Sequence, residues 1–146
     1  MTGFFTEARD VVIGLFSLAG GLLLSLLGDW DILLTVLVCC MGVDYVTGMI
    51  VAAMGKSPKT EHGGISSSVG FKGILKKVII MLMVLLAALV DRVIGTNAHT
   101  FRTMACLFYI SNEGLSALEN SALAGVPWPA RMKHALELMK NKNMGK

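Results

Sequence analysis

Charge is scarce in this sequence. Asp, Glu, Lys and Arg make up 16% of its 146 residues, 54% are hydrophobic, and the mean hydropathy is +0.67. A soluble domain of this length carries about 25% charged residues and roughly 45–50% apolar ones. The balance argues against a soluble enzyme or binding domain and for an integral membrane protein. The formal charge of +3 is too small to point to nucleic acid. The three cysteines, Cys39, Cys40 and Cys106, are odd in number and lie inside apolar runs. That argues against a disulfide framework, and they read as small hydrophobes. They share no ligand spacing with His62, His99 or His134, so no metal is expected. P-loop, dinucleotide-fold, zinc-protease and nucleophile–base–acid spacings are missing too, so neither catalysis nor a cofactor is expected.

What the chain does have is long hydrophobic stretches. A spanning helix needs about 20 apolar residues. Residues 11–28, 32–54 and 74–94 fit, and 103–122 is a fourth, more polar stretch holding Asn112, Glu113, Glu119 and Asn120. The first run is preceded by Glu7 and Asp10 as well as Arg9, and no small-x-small cleavage site follows it. It reads as a retained span rather than a signal peptide. The expected fold is an all-α integral membrane protein with three to four transmembrane helices. Residues 1–10 form an N-terminal cytoplasmic segment and 55–73 a Gly/Ser-rich linker. Residues 130–143, where Met132, Ala135, Leu136 and Met139 share a face, form a basic amphipathic interfacial helix.

Charge placement sets the expected topology. Lys56, Lys59, Lys72, Lys76 and Lys77 surround one acid, Glu61, and Arg131, Lys133, Lys140, Lys142 and Lys146 surround Glu137. Basic loops stay in the cytoplasm, which places both segments and both termini there. The turn Asp29–Trp30–Asp31 then falls outside. A three-span arrangement, with the first or last run lying along the surface, is the competitor. The linker, with five glycines, Ser66–Ser67–Ser68 and Pro58, reads as a flexible connection. Its lysines Lys72, Lys76 and Lys77 are expected at anionic lipid headgroups, as are Arg131, Lys133 and Lys140 of the C-terminal helix.

Acids inside the apolar runs are the feature that asks for a function. Asp44, Asp91 and Glu113 each lie in or against such a run. A carboxylate at bilayer depth costs roughly 2.5–3.5 kcal/mol, so it must face protein or water. Cys40, Asp44, Gly48 and Ala52 form one stripe, and Tyr109, Glu113, Ser116 and Asn120 another. Such small or polar stripes suit close helix approach. They serve either packing within one copy or self-association, and one copy has too few helices to enclose a wide channel. Asp44, Gly48, Asp91, Asn112, Glu113 and Asn120 are the candidate assembly or pore positions. Rival functions are a small ion channel or transporter using the acids, and an accessory subunit that anchors another protein.

Three segments carry a resemblance: Val43-Asp-Tyr-Val-Thr-Gly-Met-Ile-Val-Ala52, Ser66-Ser-Ser-Val-Gly-Phe-Lys-Gly-Ile-Leu-Lys-Lys77, and Tyr109-Ile-Ser-Asn-Glu-Gly-Leu-Ser-Ala-Leu-Glu-Asn120 with Gly125-Val-Pro-Trp-Pro129. In this order, from about Leu33 to Leu138, the chain resembles the bacteriophage holin family of Gram-positive phages and prophages. The resemblance implies a non-enzymatic membrane protein that homo-oligomerises in the host bacterial cytoplasmic membrane. It implies a timed lytic pore that releases a peptidoglycan hydrolase (endolysin) or collapses the membrane potential. Some relatives are associated with toxin export. The family offers no catalytic residues to transfer.

Overall fold

The computed structural model describes residues 2–28, 30–95, 99–132, 134 and 138. It is built from four α-helices: α1 (Thr2–Leu27), α2 (Ile32–Ala53), α3 (Ser67–Ile94) and α4 (Thr100–Ala124), with no strand among the described residues. Three stretches are long and apolar enough to cross a membrane: Arg9–Leu27, Ile32–Ala53 and Ser67–Ile94. The fourth helix carries Arg102, Glu113 and Glu119. Outward-facing Val46, Ile50, Ile79, Leu82, Leu86 and Phe108 are all exposed. A continuous apolar exterior of this kind suits lipid, not water.

Local chemistry explains where the helices begin and end. Asp31 has extended backbone, and its carboxylate accepts the Leu34 N–H at 2.9 Å, capping α2. Helices α3 and α4 stop at Gly95 and Gly125, both left-handed, whose N–H groups return to carbonyls of the last turn.

Helices α2 and α4 form the principal pair, with α3 packed on them and α1 lying mainly against α3. The buried residues of each inner helix recur at three- and four-residue steps. In α2 they are Leu34, Leu37, Met41, Asp44 and Val51; in α3, Ile80, Val84, Ala88 and Asp91; in α4, Arg102, Cys106, Glu113, Ala117 and Asn120. That alternation keeps one seam facing the neighbours, as in coiled-coil and membrane bundles. The apolar part of the core joins Leu27, Leu34, Leu37, Met41, Ile80, Val84 and Cys106.

Boundaries differ from the sequence expectation in several places, α4 running from Thr100 to Ala124 rather than over 103–122. Helix α1 already begins at Thr2, so 2–10 is helical. Helix α3 begins at Ser67, not 74, because its glycine-containing first turns have something to pack on. The Tyr45 hydroxyl would lie 3.6 Å from a Cβ at Gly70 and the Tyr45 ring 3.5 Å from one at Gly73. The shortened linker is closed upon itself. Ser57 N–H donates to the Gly63 carbonyl at 2.9 Å and Thr60 Oγ1 to the Gly64 carbonyl at 3.0 Å. Gly63, with φ 70°, presses on Gly55 so closely that any Cβ would strike the Gly55 carbonyl. Of the expected helix 130–143, Ala130–Met132, His134 and Leu138 are helical, while Lys133 and Lys140 lie outside the described residues. Trp128 Nε1 donates to Ser121 Oγ at 2.8 Å, fastening the Pro127–Pro129 turn to α4.

Candidate functional site

A four-charge cluster sits between α2, α3 and α4, near the middle of each. The i, i+4 stripe of α2 presents Asp44 to both neighbours. Lys77 Nζ of α3 donates to Asp44 Oδ2 at 2.7 Å and also to Glu113 Oε2 of α4. Lys76 Nζ stands 3.0 Å from the other oxygen, Glu113 Oε1. The Glu113 side chain is 0% exposed, Lys77 15% and Asp44 11%, whereas Lys76 reaches outward at 53%. Two carboxylates thus face two ammonium groups, and the cluster is formally neutral.

The amide of Asn120 completes the site. Its Nδ2 lies 3.2 Å from the Asp44 carbonyl, from Asp44 Oδ1 and from Thr47 Oγ1. Gly48 lies directly beneath this amide, and a Cβ there would stand 3.4 Å from that nitrogen, in ordinary contact. Isolated charges in a low-dielectric interior cost several kcal/mol each, and mutual attraction offsets that only when every lone pair finds a donor. Here the donors come from α3 and α4 and the acids from α2 and α4, so the cluster also ties the three helices together.

A second polar group lies at one end of the bundle. Asp91, near the end of α3, accepts Phe101 N–H at 3.0 Å on one oxygen and Arg102 N–H at 2.9 Å on the other. It therefore caps α4 from outside, where the residue in the cap position, His99, makes no side-chain cap bond. Arg102 reaches back to Asp31 Oδ2 at 2.7 Å, and the Arg92 guanidinium donates to the Ser25 carbonyl at the end of α1. Burial opposes ionisation of Asp31, but the Arg102 bond and the Leu34 N–H outweigh it and hold its carboxyl below the usual value.

Of the six sequence candidates, Asp44, Gly48, Glu113 and Asn120 converge on the central cluster. Asp91 belongs to the end staple, and Asn112 faces outward, exposed. Among the lysines expected at the lipid headgroups, Lys72 is exposed and Arg131 likewise. Lys77 is turned inward instead, because Asp44 and Glu113 offer it two carboxylates. Lys77 and Arg102 are the partners that sequence reasoning missed. A signal existed: Gly70, Gly73, Lys77, Ile80, Val84, Ala88 and Asp91 form one three/four-spaced seam, and Lys77 is on it.

Residues 21–141 match the bacteriophage holin family. An uncharacterized 14.9 kDa protein of Clostridium perfringens is 40% identical over 129 residues, covering 88% of this chain and 92% of its own. A protein of Bacillus phage phi105, described as a probable holin, is 36% identical over 102 residues, 69% of each chain. The uncharacterized protein YqxH of Bacillus subtilis is 37% identical over 100 residues, covering 68% of this chain and 65% of its own. No solved structure matches.

Proposed function

This chain belongs to the bacteriophage holin family, and on that premise we propose that it oligomerises in the cytoplasmic membrane of a host bacterium and opens a timed lytic lesion there. The holin family is not an enzyme family, and its members act as membrane assemblies. The lesion releases a peptidoglycan hydrolase into the wall, or collapses the membrane potential. The observation that carries this reading is the family match over most of the chain, set beside a bundle whose exterior is apolar and whose charges close on one another. Four helices enclose no wide channel, so passage of a folded enzyme requires several copies. In the lesion, seam residues such as Asp44, Glu113 and Asn120 exchange their partners within one copy for water or a neighbouring copy.

All four helices cross in this proposal. Helix α4 runs beside α2 from the Arg102–Asp31 bond at one end to the Asn120–Asp44 contact further along, which supports a lengthwise rather than a surface position. Its acids Glu113 and Glu119 then need no exposure to lipid chains, provided neighbours cover them. The basic 55–66 loop and the C-terminal tail face the cytoplasm, with both termini inside.

The test is controlled expression in a bacterium carrying a folded cytoplasmic reporter enzyme. Growth should stop abruptly after a delay, with depolarisation and appearance of the reporter outside the membrane. Uninterrupted growth at normal potential, with the protein inserted, contradicts the proposal. Depolarisation that never admits the reporter would instead identify an ion-selective channel.

A further inference from the structure

A cavity of about 700 Å³ opens between the second half of α2, the closed 55–66 loop and the first turns of α3. We propose that it binds the headgroup and upper acyl chain of one anionic phospholipid. The proposal stands independently of lesion formation.

Charge is the first argument. Lys59, Lys72, Lys76 and Lys77 all line the cavity, and Asp44 is its only acidic wall residue. Lys77 and Lys76 are spent on Asp44 and Glu113. That leaves Lys59 and Lys72, both exposed, without a carboxylate partner among the described residues. Lys59 reaches Asp44 only through space, so two ammonium groups outside any ion pair at one cavity mouth favour an anion, and the hydroxyls of Ser66 and Ser67 on the same wall add donors for phosphate oxygens.

Shape and depth are the second argument. Most of the remaining wall is apolar, with Met49, Ile65, Phe71 and Ile74 among its residues, each of them exposed. A free phosphate would satisfy the lysines and leave these side chains and most of the volume unfilled. A phospholipid satisfies both. The cavity runs from Asp44 and Gly48, inside α2, outward to Lys59 and Ser66 beyond its end, and on α3 it stops at Lys77, where the uninterrupted apolar run begins. Its outer part lies at the level of headgroups and its inner part at that of the first methylenes. The loop closed by Ser57 and Gly63 holds Lys59 over this opening, which a flexible linker would not do.

Native mass spectrometry of the full chain tests this after extraction from vesicles of phosphatidylcholine mixed with phosphatidylglycerol. One phosphatidylglycerol per chain should survive extraction. In the Lys59→Gln/Lys72→Gln double variant, retention should weaken roughly tenfold or more, two surface lysines being removed. The charge-preserving Lys59→Arg/Lys72→Arg pair should retain the lipid, which separates lost binding from lost folding. Lys56→Gln/Arg131→Gln, which removes as much charge outside the cavity, should retain it as well. Equal loss from the two Gln pairs would overturn the proposal in favour of diffuse surface attraction. Equal retention of phosphatidylcholine, unchanged retention in Lys59→Gln/Lys72→Gln, or displacement of the lipid by inorganic phosphate would overturn it also.

Discussion

The two polar groups of the bundle use the same residue types for different work. At one end, Asp31 and Asp91 accept backbone N–H groups of α2 and α4. Those donors exist at every helix start and need an acceptor in any event. Halfway along, no backbone donor is free, so Asp44 and Glu113 must be neutralised by side chains from elsewhere, and Lys77 and Lys76 do it. The end group is therefore a staple whose parts are tied to fixed backbone atoms. The central group is held by side chains alone, the charges pairing with one another and with the Asn120 amide, and its members can take other partners. A protein that rearranges in the membrane needs its exchangeable charges in the second place, not the first.

The sharpest way to break this contrast is Lys77→Met. It leaves two acids with one half-exposed lysine, and unpaired buried charge costs about 3–5 kcal/mol. The variant should lose most of its thermal stability in detergent micelles and accumulate poorly in membranes. Stability within experimental error of the wild type would mean that the central pairs contribute nothing. Asp91→Ala should cost less, about 1 kcal/mol, the range for a lost helix cap. Its effect should be local, with amide exchange accelerating at Phe101 and Arg102 while the centre of α2 stays protected. Uniform acceleration would show that the staple and the cluster are not separate units.

The smallest effect concerns pH. The folded Asp31 carboxyl titrates below its usual 3.8, so its contribution is complete above that value and is lost as pH falls through the lower folded value. The stability difference between wild type and Asp31→Asn should therefore be constant near neutrality and close only under strong acid. A gap that closes near neutral pH would assign the effect to another group. The Asp31 side chain is 41% exposed, so solvent screening keeps the gap modest.

The long helices were legible because apolar runs of spanning length leave few alternatives. The start of α3 was not, since Gly, Ser and Lys favour a loop by composition and only the Tyr45 contact with Gly70 and Gly73 makes helix worthwhile. The central acids stood out as charges in apolar surroundings. Their partners did not, because which lysine meets which acid depends on how three helices are rotated against each other. Lys76 and Lys77 are neighbours in sequence but point about 100° apart on a helix, and only the seam spacing distinguishes them. Asn112 misled for the same reason: it adjoins Glu113 in sequence and faces outward in the fold.

Asp44, Lys77 and Glu113 act as one charge-balanced unit rather than as separate contacts. A double-mutant cycle of Asp44→Asn and Lys77→Met, read by thermal unfolding in micelles, tests it most directly. Each single change leaves the cluster with a surplus charge, whereas the double variant leaves Glu113 with Lys76, one anion against one cation. The double variant should be more stable than Lys77→Met alone, with a coupling of at least about 1 kcal/mol. Strictly additive losses, with the double variant the least stable of the set, would contradict it.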